Sequence, residues 1–171
     1  MSKKRKPMKA ILYYDKDYLS QIRGGITSIG IGLVASISIG WERSLRNLAW
    51  KKLLGKTERI KEIYEVSEER EALIEGYIYF LDYEYRSMEG VLWIPAILSS
   101  KPIRSKEITK DWILVYFKKD SFEVPLDLWP NTPIRVYGTL VPIELCIRLF
   151  NKVIKLNCFV KARAAAYIER C

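Results

Sequence analysis

The hydrophobic pattern along this 171-residue chain changes near residue 72. Between Leu45 and Leu53 apolar side chains recur at helical spacing, whereas from Gly76 onward they alternate at the period of a β-strand. Further apolar runs cover residues 91–98, 112–117, 134–141 and 153–168. The pattern predicts an α+β chain in which a helical N-terminal region precedes a small five-stranded β domain over residues 72–169.

The segment 24–41 carries no charged residue. One interpretation is a transmembrane helix, because about 20 mainly apolar residues cross a bilayer. Gly32, Ser36 and Gly40 would then allow close helix–helix self-association. The alternatives are a buried β-strand, because large apolar side chains fill the odd positions over most of the segment, and a buried helix of a soluble protein. The pattern leaves these interpretations open.

Residues 42–70 have the pattern of a basic amphipathic helix. In the membrane interpretation this helix lies on anionic headgroups, with tryptophans and cations at the interface. The predicted interface residues are Trp41, Arg43, Arg46, Trp50, Lys51 and Lys52. The plainer alternative is a helix that packs its apolar face on its own domain. Ahead of it, residues 1–23 hold seven Lys/Arg and two acids and are predicted as a basic arm.

Composition argues against an enzyme. The chain has no histidine, which removes the commonest general base and imidazole ligand. Cys146, Cys158 and Cys171 are too widely spaced for a zinc site, and their odd number does not suggest a disulfide framework. We therefore expect no catalytic residue, no cofactor and no metal. The net charge of +9 is concentrated in residues 1–23 and 145–171.

Short segments within residues 72–169 resemble the OB-fold, a five-stranded barrel. They are Glu75-Gly-Tyr-Ile78, Pro133-Ile-Arg-Val-Tyr-Gly-Thr-Leu140, Val153-Ile-Lys-Leu156 and Tyr167-Ile-Glu169. An apolar span joined to such a barrel is also similar to the arrangement in NfeD-type and GIDE-type membrane proteins. That resemblance implies a membrane-anchored domain that docks another protein.

Two functions are compatible with these features. The first is a membrane-anchored scaffold that contacts the anionic membrane surface and a partner protein, with its β domain in the cytoplasm because the thiols are unpaired. The second is a soluble cytoplasmic protein, such as a ribonucleoprotein subunit, that binds single-stranded nucleic acid or RNA by base stacking and phosphate contacts. Its candidate residues are Tyr77, Tyr79, Tyr83, Tyr85, Arg135, Lys155, Lys161 and Arg163. Cross-strand packing and a charged strand edge are the plainer explanations for these side chains.

Overall fold

The computed structural model describes residues 8–23, 34–63, 67–81, 86–104, 111–123 and 130–168. The strands in these ranges are β1 (Met8–Tyr14), β2 (Arg70–Phe80), β3 (Arg86–Met88), β4 (Val91–Ser99), β5 (Trp112–Lys118), β6 (Thr132–Val141), β7 (Leu145–Leu149), β8 (Lys152–Leu156) and β9 (Phe159–Ile168). The helices are α1 (Lys16–Arg23) and α2 (Val34–Leu53), with short 3-10 turns at Ile60–Glu62 and Lys119–Ser121.

Five strands close into a barrel in the order β2, β4, β5, β9, β6 and back to β2. Neighbouring strands are antiparallel except β5 and β9, which are parallel. These five strands coincide with the five predicted from the sequence, except that the predicted strand 153–168 is divided into β8 and β9. The closed barrel is consistent with the OB-like fold. The structure is mostly β, with fewer helical residues than the α+β prediction implied.

The barrel interior is filled from alternate positions of its strands, such as Ile74 and Ile78 of β2. Two glycines let neighbouring backbones approach closely. A Cβ on Gly76 would lie 2.5 Å from the carbonyl oxygen of Ser99, and a Cβ on Gly138 would lie 2.6 Å from that of Lys161. Both distances are shorter than a side chain tolerates, so any larger residue would push β2 or β6 away from its neighbour.

The N-terminal strand seals the barrel. At its start β9 pairs with β5, and from residue 164 onward it pairs with β1 instead. The buried Tyr13 hydroxyl donates to the carbonyl oxygen of Ala162 (3.0 Å) and accepts from the backbone N–H of Lys118 (2.9 Å), which joins β9 to β5 where they separate. Residues 8–23 of the predicted basic arm therefore belong to the fold, because the consecutive side chains Ile11 to Tyr14 are buried on both faces of β1. Residues 1–7 lie outside the described residues.

Helix α2 covers the outer face of β9 and β6. Its buried side chains Leu45, Ala49 and Leu53 join one apolar cluster with Ala164 and Ala166, whose small size lets the helix approach the sheet. The prediction of a helix over 42–70 is wrong beyond Leu53, where the Arg135 guanidinium donates a hydrogen bond (2.8 Å) to the last helical carbonyl. The following segment does not continue the helix because it pairs with β2 and inserts Ile60 and Ile63 into the core.

The predicted transmembrane segment is not supported by an apolar helix. Its residues 24–33 lie outside the described residues, and 34–41 begin α2, which continues through Glu42, Arg43 and Arg46. Within the described ranges, no helix is both long and apolar enough to cross a membrane.

The β7–β8 hairpin forms a separate two-stranded sheet over the outer face of β4 and β5. Its Leu145, Ile147 and Leu149 are buried in one cluster with Leu114 and Tyr116 of β5. Both residues of its turn, Phe150 and Asn151, have positive φ (48° and 65°), as a type I′ hairpin turn requires. The Phe150 ring packs edge-on against Tyr79 at 6.3 Å, which holds the hairpin tip on the barrel.

Candidate nucleic-acid interface

The predicted nucleic-acid residues do not form one surface. Tyr79 packs under the hairpin, and Arg135 binds Glu75. Lys155 lies on the exposed face of the hairpin, 3.5 Å from Glu144. The structure places Lys161 and Arg163 beside Trp93 at one end of the barrel and Tyr77 at the other end. Tyr83 and Tyr85 lie outside the described residues.

The predicted membrane-interface residues surround a helix whose apolar face is already covered. Trp41 and Trp50 pack beside the α2 cluster, Arg46 pairs with Glu123 at 3.4 Å, and the Lys52 ammonium lies 5.5 Å from the Tyr137 ring centre. Arg43 and Lys51 are exposed. The structure therefore supports the alternative of a helix packed on its own domain, because the barrel occupies the face that lipid would contact.

The predicted self-association motif is described only in part. Gly32 lies outside the described residues, and Ser36 belongs to α2 but its side chain is not described. Gly40 is exposed, and a Cβ there would meet nothing within 4 Å. Self-association through these three positions therefore stays a prediction.

A groove of about 430 Å³ lies at the end of the barrel where β2 meets the segment that follows α2. We call it the Tyr77 groove. Its lining residues are Thr57, Glu58, Arg59, Ile60, Lys61, Glu75, Gly76, Tyr77, Ser100, Asp111 and Ile168. Tyr77 is the one predicted nucleic-acid residue among them, and it is half-buried in the wall.

The side chains of Arg59 and Lys61 point outward because the chain between them is anchored. Glu58 donates its backbone N–H to the Leu73 carbonyl (2.8 Å), which fixes the segment along β2. Ile60 is 3% exposed in the barrel core, so its two neighbours project into solvent at the groove. The sequence prediction missed this pair. The alternation of Arg59, Ile60 and Lys61 was the available signal, but it lay inside the segment assigned to a helix.

Two carboxylates of the groove are already paired with arginines. Arg70 binds Glu58 through two hydrogen bonds of 2.8 and 2.9 Å, and the Arg135 Nε binds Glu75 at 2.9 Å. These hydrogen bonds, which Arg70 donates to the Glu58 carboxylate, also raise the pKa of Arg70. Asp111 adds one further acid to the wall. The exposed cations Arg59 and Lys61 therefore outweigh the remaining negative charge.

The opposite end of the barrel holds a more buried set of charges around an indole. We call it the Trp93 cluster; its members are Asp15, Glu89, Trp93, Lys118, Lys161 and Arg163. The carboxylate of Asp15 accepts from the Lys118 Nζ (3.0 Å) and the Arg163 Nη1 (2.9 Å). It also caps α1 by accepting from the Tyr18 backbone N–H at 3.2 Å. These bonds compensate an acid that is completely buried.

Burial raises the pKa of two phenol groups in β1, Tyr13 and Tyr14. Burial raises the pKa of Tyr14 to about 12, and the nearby Glu123 carboxylate adds to the shift. Burial also raises the pKa of Tyr13, whose hydroxyl joins β5 to β9. Both phenols therefore stay neutral while the fold is intact.

No protein-family model, curated protein or solved structure matches this chain. The two ends of the barrel are therefore distinguished by their own chemistry. The Tyr77 groove combines an aromatic ring with exposed cations, whereas the Trp93 cluster holds cations that are mostly buried and paired. A strand of bases and phosphates matches the first arrangement, because its bases stack on rings and its phosphates attract cations.

Proposed function

We propose that this protein binds single-stranded nucleic acid, without catalysis, in the Tyr77 groove. The observation that carries the proposal is the position of Tyr77 beside the exposed Arg59 and Lys61 in one groove of about 430 Å³. An aromatic platform contributes about 1–3 kcal/mol for each stacked base, and cations along the groove contact the backbone. The role is consistent with the ribonucleoprotein subunit expected from the basic sequence.

The surroundings of the groove favour an anionic chain. Lys51, Lys56 and Lys101 are exposed and lie close in sequence to the lining residues. Met8 pairs with Ile168 of the groove wall, and the sequence on its N-terminal side is basic. These charges support salt-dependent, sequence-tolerant binding.

The β7–β8 hairpin covers the barrel face that OB-like proteins commonly use, which is a second reason to locate binding at the end of the barrel. OB-like barrels commonly bind oligonucleotides on the face of their second and third strands. Here those strands are β4 and β5, and the β7–β8 hairpin packs over them with buried leucine and isoleucine side chains. The Tyr77 groove lies beyond this covered face, at the end of β2.

Fluorescence anisotropy with labelled single-stranded DNA and RNA tests the proposal. We expect Tyr77→Ala to weaken binding by roughly 5- to 100-fold, because the stacking platform is lost, and Tyr77→Phe to retain most of the affinity. The matched control is Arg43→Gln, which removes an exposed cation from the middle of α2, away from the groove, and should change the affinity less than twofold.

Two results would overturn the proposal. One is an affinity that does not change between 50 and 300 mM salt, since phosphate contacts release counterions. The other is equal affinity of Tyr77→Ala and the native chain.

Co-sedimentation with phosphatidylserine vesicles provides the parallel test of the membrane-scaffold hypothesis. We expect the full chain to remain in the supernatant at physiological salt.

A further inference from the structure

The two carboxylates of the Trp93 cluster are held very differently. Asp15 is buried and accepts hydrogen bonds from Lys118, Arg163 and the start of α1. Glu89 lies in the β3–β4 turn with φ of 56°, and its side chain is 72% exposed although it pairs with the Lys161 ammonium. Asp15 is therefore a fixed part of the fold. Glu89 is largely exposed to solvent, and its ion pair with Lys161 holds its side chain against the protein.

Three cations surround the Trp93 ring beside Glu89, and one of them, Lys161, pairs with the Glu89 carboxylate directly. Lys118, Lys161 and Arg163 lie 5.7, 5.6 and 6.0 Å from the Trp93 ring centre, and their side chains are only 13–15% exposed. The hydrogen bond from Lys161 lowers the pKa of Glu89 most, and the charges of Arg163 and Lys118 lower it further. An anion at this point therefore contacts Lys161 and lies in the field of Lys118 and Arg163, whose charges the buried Asp15 offsets in part.

We propose that the Trp93 cluster is a second anion site, which Glu89 fills in the free protein and a ligand phosphate enters by displacing the Glu89 carboxylate. A cleft of about 240 Å³ opens beside it between α1 and the β3–β4 turn. Its charged lining residues are the cations Lys118 and Arg163 and the acids Asp15, Asp17 and Glu89. Trp93 lies near the start of β4 and Ser99, which pairs with Tyr77, lies at its end, roughly 20 Å away at the rise of a strand. The site is thus separate from the Tyr77 groove and does not depend on it.

Glu89 competes with the ligand phosphate for Lys161, and the strength of this ion pair sets how much its removal can increase the affinity. An ion pair of this exposure adds little to stability, which limits the competition of Glu89 with a ligand to about fivefold. Removal of the carboxylate should therefore tighten phosphate binding by about two- to fivefold. Removal of Lys161 should weaken it, because the cation that holds the phosphate is lost.

Isothermal titration calorimetry of the full chain with sodium pyrophosphate at constant ionic strength tests the site. We expect Glu89→Gln to bind pyrophosphate about two- to fivefold more tightly than the native chain, and the added change Lys161→Gln to abolish that gain. Glu89→Asn repeats the test with a residue that tolerates positive φ. The matched control is Glu42→Gln, which removes the same charge from another exposed pair (3.2 Å from Lys16) and should leave the affinity unchanged.

The proposal is overturned if pyrophosphate binds neither the native chain nor Glu89→Gln, or if Glu42→Gln tightens binding as much as Glu89→Gln. It is equally overturned if Tyr77→Ala abolishes pyrophosphate binding, because the ligand would then occupy the Tyr77 groove.

A 5′-phosphorylated oligonucleotide then identifies the source of the phosphate. Tighter binding of this probe to Glu89→Gln assigns the site to a nucleic-acid phosphate, whereas a gain confined to pyrophosphate assigns it to a free phosphate compound.

Discussion

The two ends of the barrel hold similar residue types in different environments. At the Trp93 cluster, Lys118 and Arg163 are 13–14% exposed and share the buried Asp15. At the Tyr77 groove, Arg59 and Lys61 are exposed on either side of one buried isoleucine. The difference shows that the environment of a cation, and not its presence near an aromatic ring, decides whether its main effect is on stability: Lys118 and Arg163 compensate the buried Asp15, whereas Arg59 and Lys61 are exposed to a ligand.

The physical reason is the cost of burying charge. A buried ion requires a partner, and removal of that partner typically costs about 3–5 kcal/mol. An exposed ion is solvated by water and can exchange that solvation for a phosphate. The predictions below test this division between the two ends.

The largest expected effect is on stability at the Trp93 end. Asp15→Asn should lower the free energy of unfolding by about 3–5 kcal/mol, because Arg163 would lose its carboxylate partner and Lys118 would be left with the exposed Asp17, 3.4 Å away. Urea denaturation measures the loss. The control is Asp17→Asn, whose side chain is 87% exposed and whose loss should be below about 0.5 kcal/mol. Equal losses in the two variants would contradict the structural role of the buried pair.

A smaller effect on stability is expected at alkaline pH. Because burial raises the pKa of Tyr14 to about 12 while an unfolded tyrosine ionises near 10, its neutral form stabilises the fold below pH 10. This contribution is lost as pH rises from 10 to 12 and amounts to roughly 2 kcal/mol. The difference in unfolding free energy between the native chain and Tyr14→Phe, measured from pH 9 to 12, isolates it from other ionising groups. A difference that stays constant with pH would show that Tyr14 ionises freely in the fold.

The smallest effect concerns the salt dependence of binding at the Tyr77 end. Arg59→Gln combined with Lys61→Gln should reduce the slope of log affinity against log salt by about 1.4, since each phosphate contact to a single strand contributes about 0.7. Anisotropy titrations at several salt concentrations give the slope. Arg148→Gln, a substitution on the exposed face of the hairpin, should leave it unchanged. A slope that changes equally in both variants would indicate a general charge effect.

The sequence predicted the barrel strands well because each carries a local apolar pattern, which alternates in β2 and β6 and is continuous in β4 and β5. It did not predict β1, whose short apolar run lies among basic residues, or the 3-10 turn at Ile60–Glu62. Ile60 and Ile63 are three residues apart, a spacing that also suits a helix, and their contact with the barrel core decides the outcome. The helical spacing of Leu45 and Leu53 correctly predicted a helix, but the apolar face of that helix packs on the barrel.

The ion pairs of the Trp93 cluster could not be predicted from the sequence, because their members are far apart in the chain. Lys118 and Asp15 are 103 residues apart in the chain, and Arg163 and Asp15 are 148 apart. Their contact exists only because β1 fills the position beside β9 that β5 leaves. The sequence selected Tyr77, Lys161 and Arg163 as similar candidates, whereas closure of the barrel separates the first from the other two.

Photocrosslinking most directly tests the claim that nucleic acid binds at the Tyr77 end. A single-stranded oligonucleotide that carries 4-thiouridine is bound to the full chain, irradiated and mapped by mass spectrometry of the digested protein. We expect crosslinks to the peptides that contain residues 57–61 and 75–77, with loss of these crosslinks in Tyr77→Ala. Crosslinks confined to the β7–β8 hairpin or to the exposed face of α2 would contradict the assignment of the groove.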